Sequence, residues 1–186
     1  QDPDIIMVGE IRDEETAELA IHAALTGHVV FSTLPTNSAA GALPRMMDMG
    51  SEAYLLASSM VSVVGQRVVR RICEHCKEEY EPSQEVIEDI KQVLGSYFPK
   101  DKQKITLARG RKCAQCNETG YKGRIGVFEV LPINSQTRKL ILEQAPTSKI
   151  EDQAKSEGML TMIQDGYLRC LEGITTVEEV LRVSKV

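Results

Sequence analysis

The chain has 186 residues, 42% hydrophobic and 26% charged, with a formal net charge of −5; this suits a soluble globular protein of one full domain, or one small domain with appendages. The acidic balance supplies no basic stripe of the kind a phosphate backbone requires, so nucleic acid is not an expected partner. No stretch reaches the roughly 18 apolar residues of a membrane span, and there is no signal-peptide pattern.

Gln1 leads almost at once into an apolar run, as expected of a piece cut from a longer protein. Ile5 to Val8 follows an Asp-Pro-Asp turn, and its short, β-branched character predicts a fully buried strand. Asp13 is the expected N-cap of a helix reaching Leu25, with Glu14 and Glu15 in the first turn, where the helix dipole favours acids. The apolar face of that helix (Ala17, Ala20, Ile21, Ala24 and Leu25) is mostly small, which lets it lie close on a sheet. Gly27 closes the helix and a second buried strand, Val29 to Phe31, follows directly, so the two strands should be parallel. Ser32, Thr33 and Pro35 end the second strand, Pro35 because it has no N–H to donate. Hydroxyls at the carboxyl end of a core strand lie where α/β proteins place ligands.

Asn37 is the expected N-cap of a helix through Met49, kinked or started late by Pro44 and ended by Gly50. A further helix is predicted from Ala53 to Val64. The character changes between Arg67 and Gly123, where two cysteine pairs flank an acidic segment, Lys77 to Asp101, that reads as one exposed helix between turns. Arg124 to Leu131 is a predicted strand ended by Pro132. Four amphipathic helices should follow: Ser135–Gln144, Ser148–Glu157, Thr161–Glu172 and Thr176–Ser184, punctuated by Gly158 and Gly173. The expected division is 1–66, 67–123 and 124–186.

Four of the five cysteines form two Cys-x-x-Cys pairs, Cys73 with Cys76 and Cys113 with Cys116. Two residues between thiolates let one tight turn aim both sulfurs at a single ion, and two such turns complete a tetrahedral shell suited to Zn²⁺. Four sulfurs leave no open coordination position, so the metal would be structural. Redox-active pairs or unrelated free thiols are the alternative, and His75, inside the first pair, could act as a substitute ligand. Cys170 stands apart and reads as a buried helix cysteine without chemistry.

The strand before Gly9 delivers Glu10 and Arg12 at its carboxyl end. That is the geometry of a Walker B element, in which a carboxylate sits beside Mg²⁺ and the attacking water. Spacing alone is weak here, because many buried strands end in an acid.

The residues themselves go further. Pro3-Asp4, Gly9-Glu10-Ile11-Arg12-Asp13, Glu15-Thr16-Ala17, Thr26-Gly27-His28 and Ser32-Thr33-Leu34 resemble the motor ATPases of type II secretion and type IV pilus assembly. "QRVVRRIC", the paired cysteines, "TGYKGRIGVFEVL" and the tail "GMLTMIQDGYLRCLEGITTVEEVLRV" match the secretion and assembly branch, so the resemblance covers essentially the whole chain. It implies an α/β fold: the C-terminal part of a RecA-like P-loop ATPase core, with an inserted four-cysteine zinc module and a C-terminal helical subdomain. It also implies a cytoplasmic hexamer that hydrolyses ATP with Mg²⁺ and works on an inner-membrane platform protein. By the same resemblance Glu10 is the Walker B acid, Arg12 lies near the nucleotide or a subunit boundary, and Ser32 and Thr33 lie beside the γ-phosphate. The competing reading is a zinc-stabilised interaction module without ATPase activity.

Two departures matter. The chain contains no G-x-x-x-x-G-K-[ST], so the phosphate loop is expected upstream of Gln1 and the isolated chain is expected to be inactive. "GYKGRIG" (Gly120, Gly123, Gly126) is read as turns. The family usually carries His where Pro35 stands, and Pro can neither donate to a phosphate nor shuttle a proton. His22 and His28 read as structural, although His28 matches the first histidine of the family's motif. Arg67, Arg70 and Arg71 either reach phosphate across a subunit boundary or form a solvated or salt-bridged helix end.

Overall fold

The computed structural model of the chain describes residues 3–99 and 104–184; Asp2 of the predicted first turn and Lys100 and Asp101 of the acidic segment lie outside them. The fold is mixed α/β, in two compact units: Gln1–Gly65 with Glu129–Met159, and Gln66–Phe128 with Leu160–Val186.

In the first unit, β1 (Ile5–Met7) and β2 (Val29–Phe31) pair in parallel, Ile5 opposite Val29 and Met7 opposite Phe31, joined by α1 (Glu14–Leu25). Asp13 caps α1 as expected, its carboxylate accepting from Thr16 N–H at 2.9 Å. Gly27, at φ +100°, takes the left-handed position that releases the chain into β2. The strands are not fully buried. Val8 and Val30 pack on the core, but Ile5, Met7, Val29 and Phe31 are 52–78% exposed. A continuous apolar run still alternates sides in a strand, and only one side of this pair is covered by the unit's helices.

The next helix, α2 (Ala39–Asp48), is capped by Ser38 rather than Asn37, the Ser38 hydroxyl accepting from Gly41 N–H at 3.1 Å. Pro44 lies inside α2. α3 (Ala53–Ser59) stops five residues short of Val64 because the chain enters β3 (Ser62–Ile72), where the β-branched Val63 and Val64 fit better than in a helix. α5 (Ser135–Leu142), capped by Asn134, and α6 (Thr147–Ser156) complete the unit. Its core joins Ala17, Leu43, Leu56, Leu131, Ile141 and Ile150, all at most 1% exposed; each such Leu or Ile contributes roughly 2 kcal/mol by leaving water.

In the second unit, β4 (Lys77–Tyr80) and β5 (Leu107–Gly110) are antiparallel, with Lys77 opposite Gly110 and Tyr80 opposite Leu107. The acidic segment is therefore not one helix. It opens as β4 and becomes helical only in α4 (Gln84–Leu94), and Ile90 and Leu94 of that helix are buried against Tyr167 and Val180. β6 (Tyr121–Pro132) pairs with β3 and begins at Tyr121, so Gly123 and Gly126 lie in a strand rather than in turns. α7 (Met162–Leu171) and α8 (Val177–Ser184) close the unit. Thr161 and Gln164 form a reciprocal capping box at the start of α7. Cys170 is 1% exposed in this core, and burial first, then the Glu178 charge, push its thiol up to about 12, which leaves it inert as expected. Among the described residues no helix is long and apolar enough to cross a membrane.

Candidate functional site

The parallel ladder continues past the ends of β1 and β2. Val8 N–H donates to Phe31 O at 2.8 Å and Ile11 N–H to Thr33 O at 2.9 Å, while the Thr33 hydroxyl donates to Gly9 O at 2.8 Å. Glu10, Arg12, Ser32 and Thr33 therefore sit on two adjoining strand ends, and all four are exposed. Arg12 Nε donates to the Glu10 carboxylate at 2.6 Å, with the two side chains 71% and 45% exposed. Such an exposed pair contributes at most about 1 kcal/mol, so it orients the carboxylate more than it stabilises the fold. Ser32 Oγ donates to Thr33 O at 3.3 Å. What the cluster offers chemically is a carboxylate, a guanidinium and two hydroxyls open to solvent.

His28 is structural in its contacts. His28 Nδ1 lies 3.0 Å from the Ala23 carbonyl and 3.1 Å from Thr26 Oγ1. The ring thus fastens the end of α1 to the start of β2. His22 is exposed on α1.

The second constellation is the cysteine cluster. The ligand atoms of Cys73, Cys76, Cys113 and Cys116 all lie within 4.8 Å of one another. Individual Sγ separations are 4.0 Å (Cys73 to Cys113), 3.9 Å (Cys76 to Cys116) and 3.7 Å (Cys113 to Cys116). A tetrahedral shell with Zn–S arms of about 2.3 Å has sulfur edges of about 3.8 Å, which these three separations match closely. His75 is exposed and lies outside the cluster.

The β4–β5 ladder builds this geometry. Cys76 directly precedes β4, and Arg111 N–H donates to Cys76 O at 2.8 Å, so the ladder holds the two cysteine turns side by side. Glu78 fastens the same pair, accepting from Arg109 Nε at 2.8 Å and also from Arg111; these two contacts hold its carboxyl below the usual range. Cys73 N–H donates to Gly120 O at 3.0 Å. Gly110 and Gly120 let the two ends of the Cys113–Cys116 segment approach closely, since a Cβ on Gly110 would lie 2.1 Å from Gly120 O. Burial alone opposes a Cys116 thiolate, but N–H groups of Cys113 and Gly120, each 3.2 Å from the sulfur, outweigh it and bring the thiol down to about 6. Cys76 is pushed up to about 12 by burial and by its three sulfur neighbours. A metal cation would resolve that crowding by taking all four as thiolates.

A third network was not expected from the sequence. Glu179, 1% exposed, accepts from Arg70 N–H at 2.9 Å, Arg70 Nη2 at 2.6 Å, and Arg182 Nε and Nη2, each at 2.9 Å. Arg70 also stacks 4.3 Å over the Tyr121 ring, whose hydroxyl lies 2.9 Å from Thr176 Oγ1. Arg67, Arg70 and Arg71 thus belong to strand β3 rather than to a helix end, and Arg70 is salt-bridged. The signal available beforehand was a pair of acids, Glu178 and Glu179, opening an amphipathic tail helix, which does not name a partner 109 positions away.

Comparison with known proteins decides the family. A family model described as "Type II/IV secretion system protein" matches residues 1–182. The chain belongs to this family. Among its relatives, the type II secretion system protein E of Pseudomonas aeruginosa is 45% identical over 185 residues, covering 100% of this chain and 35% of that protein. The type IV pilus assembly ATPase PilB of Thermus thermophilus is 44% identical over 181 residues, covering 97% of this chain and 20% of that protein. The chain thus spans between a fifth and about a third of the relatives it matches. A crystal structure of the pilus retraction motor PilT with bound ADP superposes with TM-score 0.64 at 26% identity, covering 100% of this chain and 41% of that one. The ATPase DotB of Legionella pneumophila shares the fold at TM-score 0.59 and 20% identity, covering 97% and 38%.

Proposed function

We propose that the chain is the C-terminal part of a hexameric, cytoplasmic motor ATPase that powers assembly of a type II secretion pseudopilus or a type IV pilus. The observation that carries this reading is the junction of the Gly9–Arg12 strand end with Thr33, in a chain that belongs to a family with ATPase members.

Each residue has a role that follows from its chemistry. Glu10 is fixed by a strand and by Arg12 yet open to solvent, which suits it to orient and deprotonate an attacking water. Arg12 keeps that carboxylate aimed. The Ser32 and Thr33 hydroxyls, beside it, are neutral donors and acceptors of the kind that line a γ-phosphate. These oxygen groups fit Mg²⁺, which prefers hard oxygen ligands. ATP with Mg²⁺ would supply the scissile phosphoanhydride bond and the countercharge for its oxygens. Pro35, with no N–H, leaves phosphate sensing in this segment to the two hydroxyls. In the second unit, Cys73, Cys76, Cys113 and Cys116 would hold Zn²⁺, which supplies a cross-link with no open position. The motor would act through an inner-membrane platform protein, without nucleic acid as a partner. The division into 1–66, 67–123 and 124–186 remains our proposal for how the core, zinc module and tail divide these tasks.

Steady-state ATP hydrolysis tests the reading. The complete gene product should turn over ATP with Mg²⁺, and the 186-residue chain alone, without a phosphate loop, should not. An inactive complete protein would refute the enzyme reading, and turnover by the chain alone would refute the role given to the loop.

A further inference from the structure

Glu129, on β6, is 7% exposed, and its Oε1 accepts from Ala39 N–H at 2.5 Å. Ala39 begins α2, and Ala39 and Ala40 are both 1% exposed, so their N–H groups have no water to turn to. α2 has no acid in its own first turn. The negative charge that its dipole favours arrives from a strand 90 positions further along the chain. Gly65 leaves room for this carboxylate: a Cβ there would lie 2.7 Å from Glu129 Cγ and 3.0 Å from Oε1.

We propose that Glu129 is a positioning residue for the strand-end site, pinning the start of α2 and through it the segment that carries Ser32 and Thr33. The proposal rests on the reading of that site as the nucleotide pocket. The segment is fastened twice. At one end Thr33 is bonded to Gly9 and Ile11, at 2.8 and 2.9 Å. At the other, Ser38 caps α2, Thr36 Oγ1 donates to Ser38 O at 2.9 Å, and Glu129 holds Ala39. Only residues 34–38 separate Thr33 from Ala39, a span of at most about 18 Å when extended. A shift of the α2 start is therefore passed to the hydroxyls with little chain to absorb it, and small misplacements at a reacting centre can cost about a hundredfold in rate.

The test uses the complete gene product and reads hydrogen–deuterium exchange together with ATP turnover. Glu129→Ala should speed exchange at least about tenfold across both 32–38 and 39–42, and lower kcat about tenfold to a hundredfold while KM moves less than about threefold. Glu129→Gln keeps an acceptor oxygen and should stay within about threefold of wild type in both readouts. Gly65→Ala displaces the same carboxylate and should reproduce the exchange signature, but it should add nothing in a Glu129→Ala background. If Glu129→Ala does not fold, Gly65→Ala carries both readouts. Faster exchange confined to 39–42, or an unchanged kcat, would reduce Glu129 to a helix cap and overturn the proposal. Should Glu10→Gln leave turnover intact, the nucleotide reading fails by itself, and exchange at 32–38 still decides what Glu129 holds.

Discussion

Replacing Glu179 with Gln removes a buried charge that two arginines and a backbone N–H surround. The carboxylate is 2% exposed. Burial works against it, but hydrogen bonds from Arg182 and Arg70 prevail and draw its pKa from 4.5 to about 2. That shift corresponds to about 3 kcal/mol. Arg70 and Arg182 are themselves 49% and 54% exposed, so water screens their half of the interaction and reduces the expected contribution to about 2 kcal/mol. The sign follows from the lowered folded-state pKa. The contribution is fully present above the unfolded value of 4.5 and is lost as pH falls toward 2, with less than half remaining at about pH 3. Urea unfolding of wild type and Glu179→Gln, followed by circular dichroism at several pH values, measures it. Comparison at equal pH makes the acid response of the thiols common to both proteins. The variant should be less stable by about 2 kcal/mol at pH 7, with the gap closing below pH 4.5. Equal stabilities at pH 7, or a gap that persists unchanged at pH 3, would refute the reasoning.

Two further outcomes concern the cysteine cluster. Metal analysis of the chain should return about one zinc, and Cys113→Ser or a chelator should speed hydrogen exchange in the segments around Cys73 and Cys113; no metal together with four titratable free thiols would contradict this. Gly110→Ala drives a Cβ to 2.1 Å from Gly120 O, so the two ends of the segment that carries Cys113 and Cys116 must open, and the Cys73 N–H bond to Gly120 O is disturbed with them. Zinc affinity in chelator competition should fall about tenfold or more, and an unchanged affinity would show that the glycine contact is not needed.

The features legible in the sequence are those whose cause is local. Asp13 meets Thr16 three residues on, and Thr161 meets Gln164, so both helix starts follow from neighbouring residues. Each Cys-x-x-Cys pair is likewise a property of a single turn, which is why a metal site was readable before its geometry was known. Local patterns failed where a distant partner decides the outcome. Val63 and Val64 extend the apolar run of α3, but the pairing of β3 with β6 takes them into a strand. Lys77 to Tyr80 looks helical among its acids until β5 supplies a ladder and Arg109 a countercharge. Glu129 and Glu179 carry no mark in the sequence, because their partners lie 90 and 109 positions away. The strand-end site is an intermediate case: Glu10 and Thr33 were each identifiable, but only the parallel register shows that they end side by side.

The central claim is that the Gly9–Arg12 strand end, together with Thr33, forms the hydrolytic site of a motor. Glu10→Gln in the complete gene product tests it most directly, with nucleotide binding and hydrolysis measured on the same preparation. A general base of this kind is worth about a hundredfold or more. The account predicts that hydrolysis falls by at least that factor while the Kd for ATP stays within about threefold of wild type; turnover that survives the substitution would contradict it.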